Sequence, residues 1–287
     1  MPELPEVETV VRTLRPQVLN ARIMGVELLR PSIVLPESLP LDSLCGCRIG
    51  AVDRRGKLVL LRMLAEGSRE GEGRKPDYLV VHLRMTGRLM PHPADTPPHA
   101  HTRCLFHLEG PQGASVLFFD DVRAFGVLFA ATEALLEGWT FWRELGPEPL
   151  AVPPDALARQ LALRFAGRRG AVKSLLLDQS VLAGIGNIYA DEALFRAGID
   201  PRRAANTLDA PALLRLCRAL QEVLRLSIAQ CGSSIRDYRG ANGNVGAFQN
   251  SFAVYGRGDE PCQICGRPLE KARIAGRATV FCPHCQQ

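Results

Sequence analysis

Four cysteines near the end of the chain occur as two Cys-x2-Cys pairs, and this spacing constrains the fold more than any other feature. The first pair is Cys262 and Cys265, the second is Cys282 and Cys285, and sixteen residues separate them. Two such pairs are typical of a zinc ribbon, in which four thiolates complete a tetrahedral site and leave no open position for catalysis. A redox pair or chance spacing is the alternative interpretation. We therefore expect one structural zinc ion in this segment.

The rest of the chain divides into a strand-rich half and a helix-rich half. A chain of 287 residues is long enough for two domains. Apolar residues at helical spacing predict a helix over residues 6–19. Short β-rich runs separated by glycine and proline then predict a β-sandwich or barrel, with strands at residues 22–29, 58–64, 78–83, 104–108, 115–119 and 125–129. A polar, glycine-rich stretch predicts an extended hairpin loop over residues 65–77. A proline-rich segment precedes predicted helices near residues 155–166, 171–178, 187–197 and 209–230.

Positive charge is concentrated in the second half of the chain. Residues 1–150 contain 17 Lys and Arg against 19 Asp and Glu, whereas residues 151–287 contain 18 against 11. Arginine provides 31 of the 35 cations, and its planar fork suits bidentate contacts to phosphate. We therefore expect a polyanionic partner, with a solvated basic face as the alternative.

The first residues are acidic and lack the apolar stretch of a signal peptide, and no apolar run reaches the length of a membrane span. We therefore expect a cytoplasmic, nucleoid-associated protein without a membrane partner.

Removal of Met1 would make Pro2 the terminal residue, with a free secondary amine. An α-amino group has a pKa of about 8, so a larger fraction of it is neutral at pH 7 than of a lysine side chain. The terminal amine is therefore the better nucleophile. Attack on a sugar C1′ would form an iminium that draws electrons for elimination. Glu3 and Glu6 are then candidate proton donors or acceptors. Alternatively, these residues are an ordinary helix start, where acidic side chains suit the helix dipole.

The chain resembles the bacterial formamidopyrimidine-DNA glycosylases, a family that excises oxidised purines and cuts the backbone at the resulting abasic site. The resemblance covers essentially the whole chain. It rests on five segments in the same order, residues 1–9 (MPELPEVET), 54–57 (RRGK), 82–87 (HLRMTG), 184–192 (GIGNIYADE) and 276–279 (GRAT), followed by the second cysteine pair. The fourth segment is similar to the family's helix-two-turn-helix signature.

The resemblance implies an α+β fold with two domains. An N-terminal β-sandwich with an opening helix would occupy residues 1–145, followed by a proline-rich linker over 146–155. A helix-two-turn-helix DNA-binding domain with a lesion loop would occupy residues 156–250, and a zinc ribbon residues 251–287.

The resemblance also implies a bifunctional DNA glycosylase and AP lyase of base excision repair. Such an enzyme would remove formamidopyrimidines and 8-oxoguanine from double-stranded damaged DNA, through a Schiff base on an N-terminal proline and β,δ-elimination. It would act as a monomer with structural zinc and no nucleotide cofactor. The alternatives are an oxidised-pyrimidine glycosylase of the same family, against which Leu4 argues because glycine is common there, and a non-catalytic zinc-ribbon DNA-binding protein.

Individual residues take their expected roles from this resemblance. The catalytic group would be Pro2 as nucleophile, Glu3 as acid, Lys57 as phosphate contact, Glu6 and Arg277. The DNA-binding group would be Met85, His101, Arg123, Phe125, Asn187 and Arg236. The last lies in a loop that resembles the one closing over the flipped lesion, residues 232–238.

Several of these residues have ordinary structural alternatives. Met85 and Phe125 lie beside β-rich runs and would otherwise belong to the core, and Arg123 would otherwise pair with a carboxylate. Lys57 would otherwise keep a strand edge soluble, and Asn187 would be a helix N-cap.

One segment departs from the pattern of the family. Residues 121–126 read Asp-Val-Arg-Ala-Phe-Gly, where members commonly have Asp-Pro-Arg-Arg-Phe-Gly. Val122 and Ala124 change the stiffness and charge of this loop.

Overall fold

The computed structural model describes residues 1–65, 74–233 and 246–287. The chain divides into two compact units, the first comprising Met1–Arg143 with Ser233–Gly246 and the second Glu144–Gly232 with Ala247–Gln287. Most of the hairpin loop predicted over residues 65–77 lies outside the described residues. Within the described ranges, no helix has the length and apolarity needed to cross a bilayer.

The first unit begins with helix α1 (Leu4–Val18), whose buried side is rich in valine and leucine at helical spacing. Eight strands follow: β1 (Arg22–Leu28), β2 (Arg48–Arg55), β3 (Leu58–Leu64), β4 (Tyr78–His82), β5 (Gly87–Pro93), β6 (Thr102–Gly110), β7 (Gly113–Asp121) and β8 (Val127–Ala131). Two short helices come after the last strand, α2 (Glu133–Gly138) and α3 (Thr140–Glu144).

The eight strands form one antiparallel sheet in the order β5-β7-β6-β1-β2-β3-β4-β8. Strands β1 and β2 pair only through Arg22 and Arg48, so two four-stranded halves meet at this point. Apolar residues from both halves and from α1 form one core cluster, among them Val10, Ile23 and Leu79. Both halves therefore bury one face in a shared core, which confirms the predicted β-sandwich.

The sequence pattern misses β2 and β5 and misplaces the start of β8. Charged and small residues dominate β2, so its apolar alternation is weak. Strand β5 contains two prolines, and it lies at the edge of the sheet, where a missing amide donor is tolerated. The strand predicted over residues 125–129 begins instead at Val127, because Phe125 belongs to the preceding loop.

Within its described residues, the second unit contains four α-helices and a hairpin. The helices are α4 (Pro154–Phe165), α5 (Val172–Leu177), α6 (Asn187–Ala197) and α7 (Ala210–Ala229), and the strands are β9 (Glu270–Ile274) and β10 (Arg277–Phe281). Ala275 and Gly276 join the strands with φ values of 48° and 71°, as a two-residue turn with the twist of a hairpin requires. The ribbon packs on Phe195 of α6 through Leu269 and Val280. This confirms a helical unit with a C-terminal ribbon.

Candidate active site and nucleic-acid contacts

Helix α1 begins with a reciprocal arrangement of two glutamates. The Glu3 amide donates to Glu6 Oε2 (2.9 Å), and the two residues form a capping box. Pro2, Glu3 and Glu6 are all buried, whereas Met1 is exposed. The first residues of the chain therefore hold a proline directly beside a buried carboxylate.

Glu6 has a second set of partners. Its Oε1 accepts hydrogen bonds from the Ser233 amide (2.8 Å) and from the Ser233 hydroxyl (2.9 Å). Together with the Glu3 amide, three donors face this one side chain. These bonds attach Ser233 to the beginning of α1. The lesion loop predicted at this point and its Arg236 lie outside the described residues, apart from Gly232 and Ser233.

Lys57 occupies the two-residue turn between β2 and β3 and is 5% exposed. A lysine that kept a strand edge soluble would be exposed, so this burial excludes that alternative. Arg54 fixes the turn, because it donates to the Gly56 carbonyl (3.0 Å) and pairs with Glu8 of α1 (3.1 Å). The turn that carries Lys57 is thereby attached to the helix that follows Pro2.

The turn between β4 and β5 presents Met85, which is 39% exposed and therefore not a core residue. Arg84, immediately before it, has a φ of 52°, a left-handed conformation that residues other than glycine rarely adopt. Gly87 donates its amide to the Leu83 carbonyl (2.9 Å), and a Cβ on Gly87 would lie 2.4 Å from that oxygen. Only glycine therefore fits at the end of this turn.

His82 supports the same turn as a hydrogen-bond acceptor. The ring is buried, and its Nδ1 accepts from the Arg84 amide (3.0 Å). Burial, together with the charges of Arg84 and Lys57, lowers the pKa of His82 to about 3. The ring is therefore neutral at pH 7, which is the form in which Nδ1 can accept.

We expect acid to destabilise the protein through His82. The unfolded chain takes up this proton near pH 6.5, whereas the folded chain does so only near pH 3. Between these values the unfolded state binds more protons, so the free energy of unfolding falls as the pH decreases, by at most about 1.4 kcal/mol per pH unit from this group. Asparagine can place an acceptor where Nδ1 lies but does not titrate. In His82→Asn, the free energy of unfolding should therefore decrease less steeply as the pH is lowered. Urea unfolding at pH 7 and pH 5 measures the difference, and an equal decrease in both proteins would contradict the assignment.

The loop between β7 and β8 presents Arg123 and Phe125. Phe125 is 54% exposed, which excludes a core position, and its ring centre lies 4.6 Å from the Arg123 guanidinium carbon. Ala124 has a φ of 51° and is thus another left-handed residue that is not glycine. Asp121, buried at the end of β7, accepts from the amides of Arg123 (3.2 Å) and Gly126 (2.7 Å). This carboxylate shapes the loop that leaves Phe125 exposed.

His101 is exposed in the segment before β6. Its carbonyl accepts from the Asp121 amide (2.9 Å), and its own amide donates to His99 Nδ1 (3.2 Å). His99 Nε2 in turn lies 3.0 Å from Asp120 Oδ2. The segment that carries His101 is therefore attached to the end of β7, beside the loop that carries Phe125.

In the second unit, a hydrogen bond joins the elements that carry Asn187 and Arg277. Asn187 is the first residue of α6, and Gly186 is the N-cap, so the predicted alternative of a capping asparagine is wrong. Asn187 Nδ2 donates to the carbonyl of Ala278 in β10 (2.9 Å). Arg277, the residue before Ala278, is exposed at the end of the hairpin turn. A helix N-terminus and a guanidinium are both suited to phosphate.

A buried ion pair that the sequence pattern does not predict joins the same elements. Lys173 of α5 is 0% exposed, and its Nζ lies 2.6 Å from Oδ1 of Asp191 in α6. The same Nζ donates to the Ala278 carbonyl (3.1 Å) and to Thr279 Oγ1 (2.7 Å) in β10. Burial raises the pKa of Asp191, although Lys173 opposes the shift. The pair fixes β10, and with it Arg277, to both helices. In the sequence, the ion pair is indicated only by one lysine within a mainly apolar helix.

The four ribbon thiols form one cluster, with all sulfur atoms within 4.8 Å of one another. The Sγ atoms of Cys262 and Cys285 are 3.9 Å apart, and those of Cys265 and Cys282 are 3.5 Å apart. Zinc–sulfur bonds of about 2.3 Å in a tetrahedron require sulfur separations of about 3.8 Å. The cluster therefore fits one zinc ion with four thiolate ligands, a structural site.

Three family models match the chain in succession. Residues 1–128 match the formamidopyrimidine-DNA glycosylase N-terminal domain, and residues 145–239 match the H2TH domain of the same proteins. Residues 259–287 match a zinc finger found in FPG and IleRS.

Relatives and solved structures match the chain along its length. A formamidopyrimidine-DNA glycosylase of Moorella thermoacetica is 47% identical over 276 residues, with 95% of each chain covered. The crystal structure of MutM (Fpg) from Thermus thermophilus matches with a TM-score of 0.84 and 41% identity, covering 99% of this chain and 98% of that one. A Lactococcus lactis FPG mutant in complex with DNA that contains Fapy-dG matches with a TM-score of 0.86 and 32% identity over 100% of both chains. The chain therefore belongs to the formamidopyrimidine-DNA glycosylase family.

Proposed function

We propose that this protein is a bifunctional DNA glycosylase and AP lyase that removes oxidised purines, formamidopyrimidines and 8-oxoguanine, from duplex DNA. Membership of the family supports the excision of damaged bases, and the Lactococcus lactis relative binds DNA that contains Fapy-dG. The observation that carries the chemistry is the buried start of α1, where Pro2 directly precedes the buried carboxylate of Glu3.

Pro2 becomes a secondary-amine nucleophile once Met1 is removed. Its nitrogen forms a bond to C1′ of the damaged nucleotide, and the bond from C1′ to the base breaks with its electron pair leaving on the base. The proton of the Pro2 nitrogen passes to the departing base, so both leave this step neutral. Glu3 donates a proton to O4′ as the sugar ring opens, which leaves an iminium on Pro2. Because this iminium has no N–H to lose, it keeps its charge and acidifies the C2′ hydrogen. Loss of that proton expels the 3′ phosphate, a second elimination expels the 5′ phosphate, and water releases the amine.

Lys57 and Glu6 have different roles around this nucleophile. The buried ammonium of Lys57 contacts a DNA phosphate and stabilises negative charge there, where burial makes it more effective than in water. Glu6 acts as a positioning residue, because its oxygens already accept from Glu3 and from Ser233.

Asn187 and Arg277 bind the DNA backbone. Asn187 at the start of α6 and the exposed Arg277 are the groups that we place on phosphate, and the bond from Asn187 to Ala278 supports the two elements together. The excess of cations over anions in residues 151–287, 18 against 11, suits a polyanion. Such contacts position the protein on damaged and undamaged duplexes alike, because phosphates carry no base information.

Met85, Arg123 and Phe125 fill the space that the damaged nucleotide leaves when it is flipped out of the stack. Extrusion must precede attack, since C1′ is inaccessible to the amine while the nucleotide is stacked. Met85 provides a flexible side chain for the vacated volume, and Phe125 provides a flat ring between neighbouring bases. Arg123 provides donors for the partner base, and the exposed His101 contacts the backbone nearby.

We expect Phe125→Ala to leave the melting temperature nearly unchanged, because this side chain is 54% exposed. Truncation of a buried phenylalanine would instead lower the free energy of unfolding by about 3–5 kcal/mol. Excision of a paired lesion should fall sharply because the wedge is missing, whereas cleavage of a preformed abasic site should be spared. Thermal unfolding and single-turnover cleavage of both substrates measure these effects. A loss of several kcal/mol, with both substrates slowed alike, would assign Phe125 a structural role.

Cleavage of defined duplexes tests the function as a whole. The substrates are duplexes that contain a formamidopyrimidine, 8-oxoguanine, an oxidised pyrimidine or an abasic site. The two purine lesions should be cleaved faster than the oxidised pyrimidine. Cleavage should leave phosphates at both ends of the gap. Preferential cutting of the oxidised pyrimidine would instead identify the other branch of the family. Binding without any cleavage would identify a non-catalytic DNA-binding protein.

We also propose that the domains span residues 1–145, 156–250 and 251–287, with a linker over 146–155, and that the protein acts as a monomer on nucleoid DNA without a nucleotide cofactor. Family membership along the whole chain supports these assignments.

A further inference from the structure

One buried carboxylate, that of Asp121, joins the two segments that carry Met85, Arg123 and Phe125. Asp121 is the last residue of β7 and is 1% exposed. Its Oδ1 accepts from the Thr86 hydroxyl, which belongs to the turn that presents Met85.

The same carboxylate also holds the second segment. Oδ1 accepts from the Arg123 amide (3.2 Å), and Oδ2 accepts from the Gly126 amide (2.7 Å). The Arg123 amide also lies 3.1 Å from the Thr86 hydroxyl oxygen, so the hydroxyl donates to Asp121 and accepts from Arg123. One side chain therefore sets the distance between the turn and the loop.

The main chain of Asp121 extends this connection to a third segment. Its amide donates to the His101 carbonyl (2.9 Å), and its own carbonyl accepts from Arg103 Nε (2.7 Å). The three residues that we place in the vacated space, Met85, Arg123 and Phe125, and the nearby His101 thus lie on segments bonded to Asp121.

Both segments are held in conformations that they would not favour alone. Arg84 precedes Met85 with a φ of 52°, and Ala124 precedes Phe125 with a φ of 51°. Left-handed residues other than glycine persist only where their surroundings determine them. The loop also depends on close contact at Gly126, where a Cβ would lie 2.4 Å from Phe119 Cζ and 3.1 Å from Asp121 Oδ2.

We propose that Asp121 is a positioning residue for base extrusion. Its carboxylate holds the turn and the loop so that Met85, Arg123 and Phe125 are arranged for insertion before DNA binds. This role rests on the proposed function, because it acts only on a reaction in which a stacked nucleotide is extruded. A carboxylate is required, since both of its oxygens face donors, and an amide would place its NH2 group against one of them.

Asp121→Asn tests the proposal, with stopped-flow fluorescence of 2-aminopurine beside an 8-oxoguanine as the readout of unstacking. The variant should slow unstacking and excision of the paired lesion by at least about tenfold, as loss of a hydrogen bond to a charged group implies. Cleavage of a preformed abasic site should remain within about twofold of wild type, since no base has to be extruded there.

Thr86→Val provides a second variant that removes the two hydrogen bonds of the Thr86 hydroxyl and leaves the carboxylate in place. It should slow unstacking in the same direction by a smaller factor, and the double variant should resemble Asp121→Asn, because both changes disrupt one network. This variant keeps the proposal testable if Asp121→Asn does not fold. Normal unstacking in Thr86→Val would overturn the proposal.

Thr132→Val is the matched control for loss of a buried hydrogen bond in the same unit. Its hydroxyl is buried and accepts from the Leu135 amide (3.2 Å) at the start of α2. The control should lower the unfolding midpoint without changing the ratio of lesion excision to abasic-site cleavage. If Asp121→Asn also leaves that ratio unchanged, Asp121 has only a structural role. If wild-type protein cleaves neither substrate, the proposed function itself fails.

Discussion

Replacing Glu3 by glutamine is expected to slow excision of a paired oxidised purine by a factor of about 10²–10⁴, the usual contribution of a positioned acid or base. Glutamine keeps the size of the side chain and an acceptor oxygen, so the capping box with Glu6 should survive. Binding of lesion DNA should therefore be nearly normal. A preformed abasic sugar already opens spontaneously, so its cleavage should fall much less. Single-turnover rates on the two substrates, with binding measured separately, give this comparison.

Glu109→Gln is the control for the loss of one negative charge, since Glu109 is exposed on β6. It should excise at the wild-type rate. Equal losses for Glu3→Gln on lesion and abasic DNA, together with weak binding, would mean that Glu3 holds the fold of the α1 start and does not transfer the proton.

Replacing Lys173 by methionine is expected to lower the free energy of unfolding by about 3–5 kcal/mol, because it leaves the buried charge of Asp191 without its partner. The change also removes the donor to Ala278 and Thr279, so β10 loses its attachment to α5. DNA binding through Arg277 should weaken in parallel. Urea unfolding and binding of undamaged duplex at two salt concentrations measure both effects.

The double variant Lys173→Met/Asp191→Leu separates the cost of an unpaired charge from the loss of packing. Replacing both members of a buried pair by apolar residues is often nearly neutral, so most of the stability should return. The Lys173 ammonium that donates to β10 would still be missing. The affinity for duplex DNA should therefore recover less than the free energy of unfolding. A stability loss below about 1 kcal/mol in Lys173→Met would show that the pair is not desolvated as described.

The features that the sequence predicts correctly depend on local signals. The cysteine spacing predicts the ribbon because two turns and a hairpin bring the four thiols together without help from distant segments. The valines of α1 predict its buried face for the same reason.

Other features depend on partners that are far apart in the chain. Lys173 and Thr279 are separated by 106 positions, and Thr86 and Asp121 by 35, so neither contact leaves a periodic pattern. The exposure of Phe125 is implied by the resemblance to the family, but it does not follow from the pattern of apolar residues. The residue adjoins an apolar strand, and it is the buried carboxylate of Asp121 together with the close contact at Gly126 that keeps it out of the strand.

Borohydride trapping on abasic duplex DNA tests most directly whether the terminal amine of Pro2 is the nucleophile. Reduction of the iminium should give one stable crosslink per protein, and digestion with trypsin should place the DNA on the peptide that ends at Arg12. Blocking the amine with a retained Met1 or an N-terminal tag should abolish the crosslink, whereas Pro2→Gly should retain a weaker one. A crosslink on Lys57, or none with unblocked protein, would contradict the proposed mechanism.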